Sequence, residues 1–169
     1  KRWLEAIMRL LGPSPHAMST AVRRSMQSNK GRNTGPELKL RALLRQSGLA
    51  GYRTGYKHIA GRPDAAYPAK RLAIFLHGCF WHRCPTCRPT VPKTHSAFWR
   101  RKFQLNRARD RRQQKSLVAA GWRTVTVWEC ALKPKNKTRL DAAMRTIRRL
   151  YERPVRPGRA RAAKARRSP

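Results

Sequence analysis

Residues 72–76, Leu-Ala-Ile-Phe-Leu, are an unbroken apolar run of strand length, and the chain that leaves it cannot easily hold its own shape. Such a run between turn signals reads as a buried central strand. Residues 77–95 then carry three of the four cysteines and three prolines, and read as an irregular loop. Cys84-Pro85-Thr86-Cys87 is a CxxC knuckle, with Cys79 just before it. Cys130 ends a second strand candidate, the alternating Arg-Thr-Val-Thr-Val-Trp at 123–128. In a reducing cytosol these thiols do not pair as disulfides. Four thiolates bind zinc tetrahedrally, and a set closed by four protein ligands is structural. Zinc would then be what orders the loop. The alternative is buried free cysteine at some of these positions. His82 lies inside the cluster as a competing ligand, but four cysteines fill the shell and leave it free for chemistry.

The remaining pattern predicts helix, strands, helix, strand, helix, an α/β layer fold with a mixed central sheet. Thr34-Gly35-Pro36-Glu37 fits a capping box with proline in the first turn. Leu38, Leu40, Leu43 and Leu44 give that helix an apolar side, and Gly48 ends it. A short strand is expected around Tyr52 to Ile59, then a turn at Gly61-Arg62-Pro63-Asp64 leading into another. A long helix is expected over 96–120 with Gly121 as its stop, and a last helix carries Leu140, Met144, Ile147 and Tyr151 on one face. Residues 1–17 read as an N-terminal extension ahead of Met18. Residues 18–152 read as one domain and 153–169 as a disordered basic tail.

Charge sets the partner class. Lys and Arg number 41 and Asp and Glu 7, a net charge of +34. Such a chain expects a polyanion, of which nucleic acid is the commonest. No apolar run reaches 18 residues, and residues 1–17 do not read as a signal peptide. A cytoplasmic protein with no membrane partner is expected. Where acids are this scarce each needs a reason, and one reason is holding a cation against phosphates.

Pro63-Asp64 ends one strand region and Phe75-Leu76-His77 the next. A carboxylate on one strand beside a backbone carbonyl of its neighbour suits a hard cation such as magnesium. Asp64 equally suits a turn after Pro63. His77 and His82 flank Cys79, so bound zinc would pin both imidazoles beside the strand end. Such a group can move protons near neutral pH. Trp99, Phe103, Asn106 and Asp110 share one face of the long helix, where Asp110 is placed either to orient a histidine or to pair locally with arginine. Phe80 and Trp81 beside a basic surface suit stacking on bases or core packing.

Several strings together resemble a known family. They are Gly61-Arg62-Pro63-Asp64, Ala73-Ile74-Phe75-Leu76-His77-Gly78-Cys79-Phe80-Trp81-His82, Phe98-Trp99-x-x-Lys102, Asn106-x-x-Arg109-Asp110 and Gly121-Trp122 with Trp128-Glu129-Cys130. They resemble the very-short-patch repair endonucleases, bacterial DNA mismatch endonucleases, over about Met18 to Leu132. The resemblance implies a restriction-endonuclease-like fold, a mixed central sheet flanked by helices with a structural zinc site. It implies magnesium-dependent nicking of one strand 5′ to the T of a T:G mismatch, the product of 5-methylcytosine deamination.

By position, the resemblance gives magnesium to the Asp64 carboxylate and the Leu76 carbonyl. His82 is the general acid/base and Asp110 its orienting partner. Glu37, which also fits a helix cap, and His77 hold water and phosphate near the metal. Phe80, Trp81 and Trp99 form a wedge into the duplex, and Met26 enters from the minor groove. Lys102 and Asn106 count with the DNA-contacting residues. Zinc falls to Cys79, Cys84, Cys87 and Cys130. Two departures stand out: the family often has a histidine among its zinc ligands, and some members have Thr where Leu76 stands.

The resemblance further implies double-stranded DNA carrying a T:G mismatch as partner, repair-pathway proteins as further partners, a monomer, and a nucleoid-associated location. A second reading, from another class, is a non-catalytic zinc-bearing nucleic-acid-binding protein. Asp64, His82 and Asp110 separate the two, because a binding module has no need of them.

Overall fold

The computed structural model describes residues 33–155. Met26, the N-terminal extension and most of the basic tail lie outside the described residues. Helix α1 spans Gly35–Gln46 and begins as its sequence dictates. The Thr34 hydroxyl accepts the Glu37 N–H at 3.4 Å, and Glu37 Oε2 accepts the Asn33 N–H at 2.9 Å. Gly48, at φ +73°, follows its end.

The sheet has three strands in the order β1-β2-β3: β1 is Ala65–Tyr67, β2 Leu72–His77 and β3 Arg123–Trp128. β1 runs antiparallel to β2, with Ala65 opposite Ile74 and Tyr67 opposite Leu72. β2 and β3 are parallel, from Leu72 opposite Arg123 to His77 opposite Trp128. A parallel pair needs a long crossover. It contains the short α2, Cys79–His82, and the long α3, Ser96–Ala119. Helix α4, Lys137–Glu152, closes the described fold.

Side-chain parity sorts β2 between two layers. Leu72 and Ile74 join Leu40, Leu44, Val125, Val127 and Ile147 in the main core, with α1 and α4. Ala73 and Phe75 meet Leu117 of α3 in a smaller cluster on the other side. Both faces of β2 are covered, which is why its sequence is continuously apolar. Leu140, Met144 and Tyr151 pack against the main core around Ile147, the face expected of the last helix.

Two local expectations differ from the structure. Residues 52–59 form no strand; Arg53 makes one isolated bridge to Ala66, and turns follow. Gly55 at φ +59° breaks the extended path, and Tyr56 packs at 6.0 Å from Trp122. The loop 77–95 is irregular except for α2, whose single turn is closed by a His82 N–H to Gly78 carbonyl bond.

Candidate active site and metal centre

The turn before β1 delivers Asp64 to the end of β2. Gly61 sits at φ +85°, and a Cβ there would come within 3.0 Å of the Phe75 ring. Asp64 N–H bonds to the Ile74 carbonyl at 2.9 Å, although Ala65 is the residue paired with Ile74. Two residues against one is the pattern of a β-bulge, a device that re-aims a side chain. The side chain so aimed accepts the Leu76 N–H on Oδ2 at 2.7 Å. A strand residue's N–H and C=O point to the same side, so the Leu76 carbonyl lies on the edge that Asp64 occupies.

Burial pushes the Asp64 carboxyl up to about 6; the Leu76 N–H resists, nearby Glu37 adds to the rise and Arg41 counters it. Glu37 and Asp64 line one hollow of about 400 Å³ together with Arg41, Gly61, Arg62 and Pro63. Glu37 therefore both caps α1 and faces the space beside Asp64. Two acids around one concavity in so basic a chain are chemically suited to a divalent cation.

At the same end of β2 the chain turns directly into α2. A Cβ at Gly78 would sit 3.2 Å from the Trp81 ring, so glycine permits this tight exit. Glu129 Oε2 accepts the Cys79 N–H at 3.3 Å and ties α2 to the end of β3. His82 then reaches α3, and its Nδ1 lies 2.5 Å from Asp110 Oδ2. Asp110 Oδ1 takes two bonds from Arg109, Nε at 3.1 Å and Nη2 at 2.9 Å. Burial alone would raise the Asp110 carboxyl, but His82 and Arg109 hold it below its usual value. A carboxylate there accepts, so Nδ1 of His82 donates and Nε2 is the ring nitrogen left for chemistry.

His77 stacks on His82 with ring centroids 4.0 Å apart and planes 14° off parallel. Burial, then the neighbouring His82, lowers its pKa to about 4, which leaves it neutral at physiological pH. His77, His82 and Asp110 offer ligand atoms within 4.8 Å of one another. Rings stacked in near-parallel planes 4.0 Å apart do not aim their in-plane lone pairs at one point, so this trio is better built for protons than for one shared ion.

The four cysteines converge. Cys79, Cys84, Cys87 and Cys130 bring their sulfurs within 4.8 Å of one another, and none is in a disulfide. Cys84 and Cys130 sulfurs are 3.8 Å apart. A tetrahedral ion with bonds of about 2.3 Å has ligand sulfurs roughly 3.8 Å apart, so the set fits zinc. Burial opposes ionisation of Cys84, yet the N–H groups of Cys87 and Thr86 and the neighbouring thiols bring it down to about 7. Cys79 accepts the Cys130 N–H at 3.3 Å. Amide donors aimed at sulfur suit thiolate ligands. His82 is engaged with Asp110, apart from this cluster.

The aromatic residues form one connected group beside α2. Phe80 lies edge-on to Trp81 at 5.1 Å, to Trp99 at 5.4 Å and to Phe103 at 5.1 Å. Lys102 Nζ stands 5.5 Å from the Trp81 ring and 5.7 Å from that of Trp99. Phe103 is buried, while Phe80, Trp81 and Trp99 are half-exposed. Asn106 is buried and donates its amide to the Trp81 carbonyl at 3.1 Å. Asn106 thereby ties α3 to α2.

Comparison with known proteins bears on this arrangement. A family model described as DNA mismatch endonuclease Vsr matches residues 18–88. The type II nicking enzyme V.XorIIP of Xanthomonas oryzae pv. oryzae is 39% identical over 122 residues, covering 72% of this chain and 88% of that protein. The DNA mismatch endonuclease Vsr of Escherichia coli is 40% identical over 114 residues, covering 68% and 72%. The type II nicking enzyme V.NaeI of Lentzea aerocolonigenes is 37% identical over 123 residues, covering 70% and 73%. The chain belongs to the Vsr family.

In this member of the Vsr family, three residues around the site escaped sequence reasoning. Arg109 was legible only as part of a motif, and its bonds to Asp110 needed the structure. Glu129 came from a strand end 50 residues beyond the Cys79 N–H it binds. Arg41 stands one helical turn after Glu37, a spacing that signals an ion pair, but its second bond runs to the Asp64 backbone.

Proposed function

We propose that this Vsr-family chain is a magnesium-dependent DNA mismatch endonuclease that nicks one strand 5′ to the T of a T:G mismatch arising from 5-methylcytosine deamination. Residues 18–152 are the domain that does so, with the basic tail adding affinity for DNA. Its core is read as a restriction-endonuclease-like sheet with a structural zinc. It acts as a monomer in the cytoplasm on double-stranded DNA. The observation that supports this best is the pair of groups hung on the end of β2: the bulge-aimed Asp64 on the Leu76 edge, and His82 oriented by Asp110.

The Asp64 carboxylate and the Leu76 carbonyl would hold a magnesium ion, which would supply Lewis acidity toward a phosphate. His82 Nε2 takes a proton from the attacking water as the new P–O bond forms and the bond to the leaving nucleotide oxygen breaks. Asp110 stabilises the resulting imidazolium through Nδ1, and Arg109 holds Asp110 in place. His77, neutral and stacked on His82, and Glu37, beside Asp64, border the space for water and phosphate. Phe80, Trp81 and Trp99 form the wedge, with Lys102 over it. Unstacking a step costs on the order of a few kcal/mol. A T:G wobble is weaker than a matched pair and costs less to open, which favours it.

An end-labelled duplex with one T:G pair, set against its matched control with and without magnesium, tests the reading. A magnesium-dependent nick 5′ to the T is expected. Binding at several salt concentrations with no nick would instead favour a non-catalytic zinc-bearing nucleic-acid-binding protein.

A further inference from the structure

Arg41 is 9% exposed, within α1. A guanidinium that deep needs acceptors for its donors. It has three. Nε donates to the Asp64 backbone carbonyl at 3.2 Å, Nη1 to Asn33 Oδ1 at 2.6 Å and Nη2 to Glu37 Oε2 at 3.2 Å. One planar fork therefore joins the cap of α1, the Glu37 carboxylate and the turn that carries Asp64.

We infer that Arg41 is a positioning residue for the divalent-cation site, fixing Glu37 and Asp64 in the wall of their shared hollow and serving as their counter-charge until a cation arrives. The inference rests on Asp64 being a cation ligand, as proposed above. Two carboxylates facing one hollow repel, and each side chain would otherwise rotate away. Arg41 opposes this from inside the protein, where solvent screens little. It also fixes the backbone of Asp64 directly, so the bulge and the helix cap cannot drift apart. Lysine keeps the charge but offers donors from one atom, and cannot span three acceptors in different directions.

The test uses the full-length, zinc-loaded chain bound to a T:G duplex and titrated with manganese(II), free ion being read from its paramagnetic resonance amplitude. Wild type, Arg41→Lys, Asn33→Gly and Asp64→Asn are compared. Arg41→Lys should raise the manganese Kd about tenfold, the scale for residues that orient a metal ligand, while the chain stays folded and duplex affinity stays near wild type. A merely structural arginine would change the melting temperature alone and leave the Kd of the folded variant as in wild type. Asn33→Gly removes only the outer anchor, and glycine keeps the φ of +54° found there. It should weaken manganese binding roughly threefold. An unchanged Kd in folded Arg41→Lys overturns the inference, and if the lysine variant does not fold, an unchanged Kd in Asn33→Gly does so. Undiminished manganese binding by Asp64→Asn overturns the metal assignment itself.

Discussion

Asp64 Oδ2 accepts the backbone N–H of Leu76 at 2.7 Å, so the acid is fixed to the strand edge that also carries the Leu76 carbonyl. That bond holds the carboxylate where burial disfavours its charge. That tension has a measurable consequence.

A carboxyl whose folded pKa is raised contributes stability at low pH that is lost as pH rises through the folded value. For Asp64 the window runs from near 3.8 to about 6. Asp64→Asn keeps an acceptor for Leu76 and removes the charge. In magnesium-free buffer it should be more stable than wild type by about 1–3 kcal/mol at pH 7.5, the gain shrinking toward pH 5. Nicking should be abolished and DNA binding largely kept. Denaturant melts at the two pH values, with a nicking assay, check this; equal stability at pH 7.5 contradicts it.

Asp110→Asn leaves a side chain of the same shape beside His82 but removes the charge that stabilises an imidazolium. The nicking rate should fall by about 10²–10⁴, with duplex affinity unchanged. Single-turnover kinetics on a T:G duplex decides it. A loss of less than threefold would mean that His82 does not work through Asp110.

Cys87 is the exposed member of the sulfur cluster, so its loss leaves little cavity and reports on metal binding. Cys87→Ser should lower zinc content, and the melting temperature by roughly 10 °C or more, because metal affinity is folding energy here. Zinc analysis and thermal melting are the measurements. A normal melt in a zinc-free variant would end the structural-zinc reading.

Trp81 presents its ring next to Lys102, half-exposed, while its carbonyl is held by Asn106. Trp81→Ala should cost the mismatched duplex about 1–3 kcal/mol of binding and the matched duplex much less. Competition titrations with both duplexes measure the difference. Equal losses would make the aromatic group packing and not a wedge.

Local features were legible in the sequence. The capping box at Thr34 and Glu37, the apolar run of β2, the alternation of β3 and the apolar face of α4 each depend on neighbours a few residues apart. The expected strand at 52–59 failed for the complementary reason. Positive-φ Gly55 and the packing of Tyr56 on Trp122, far along the chain, make that segment turns. The CxxC spacing announced a metal knuckle, yet that Cys130 closes it depends on β3 lying parallel to β2.

What the sequence by itself determined is the inventory: scarce acids, clustered thiols, a strand buried on both faces and a charge that demands a polyanion. Tertiary structure alone decided which of those groups meet. His82 and Asp110 are 28 residues apart, and Arg41 and the Asp64 carbonyl 23. The physical reason is that propensity and periodicity act over one or two turns, whereas a site is made where separate elements are forced together by burying a common core.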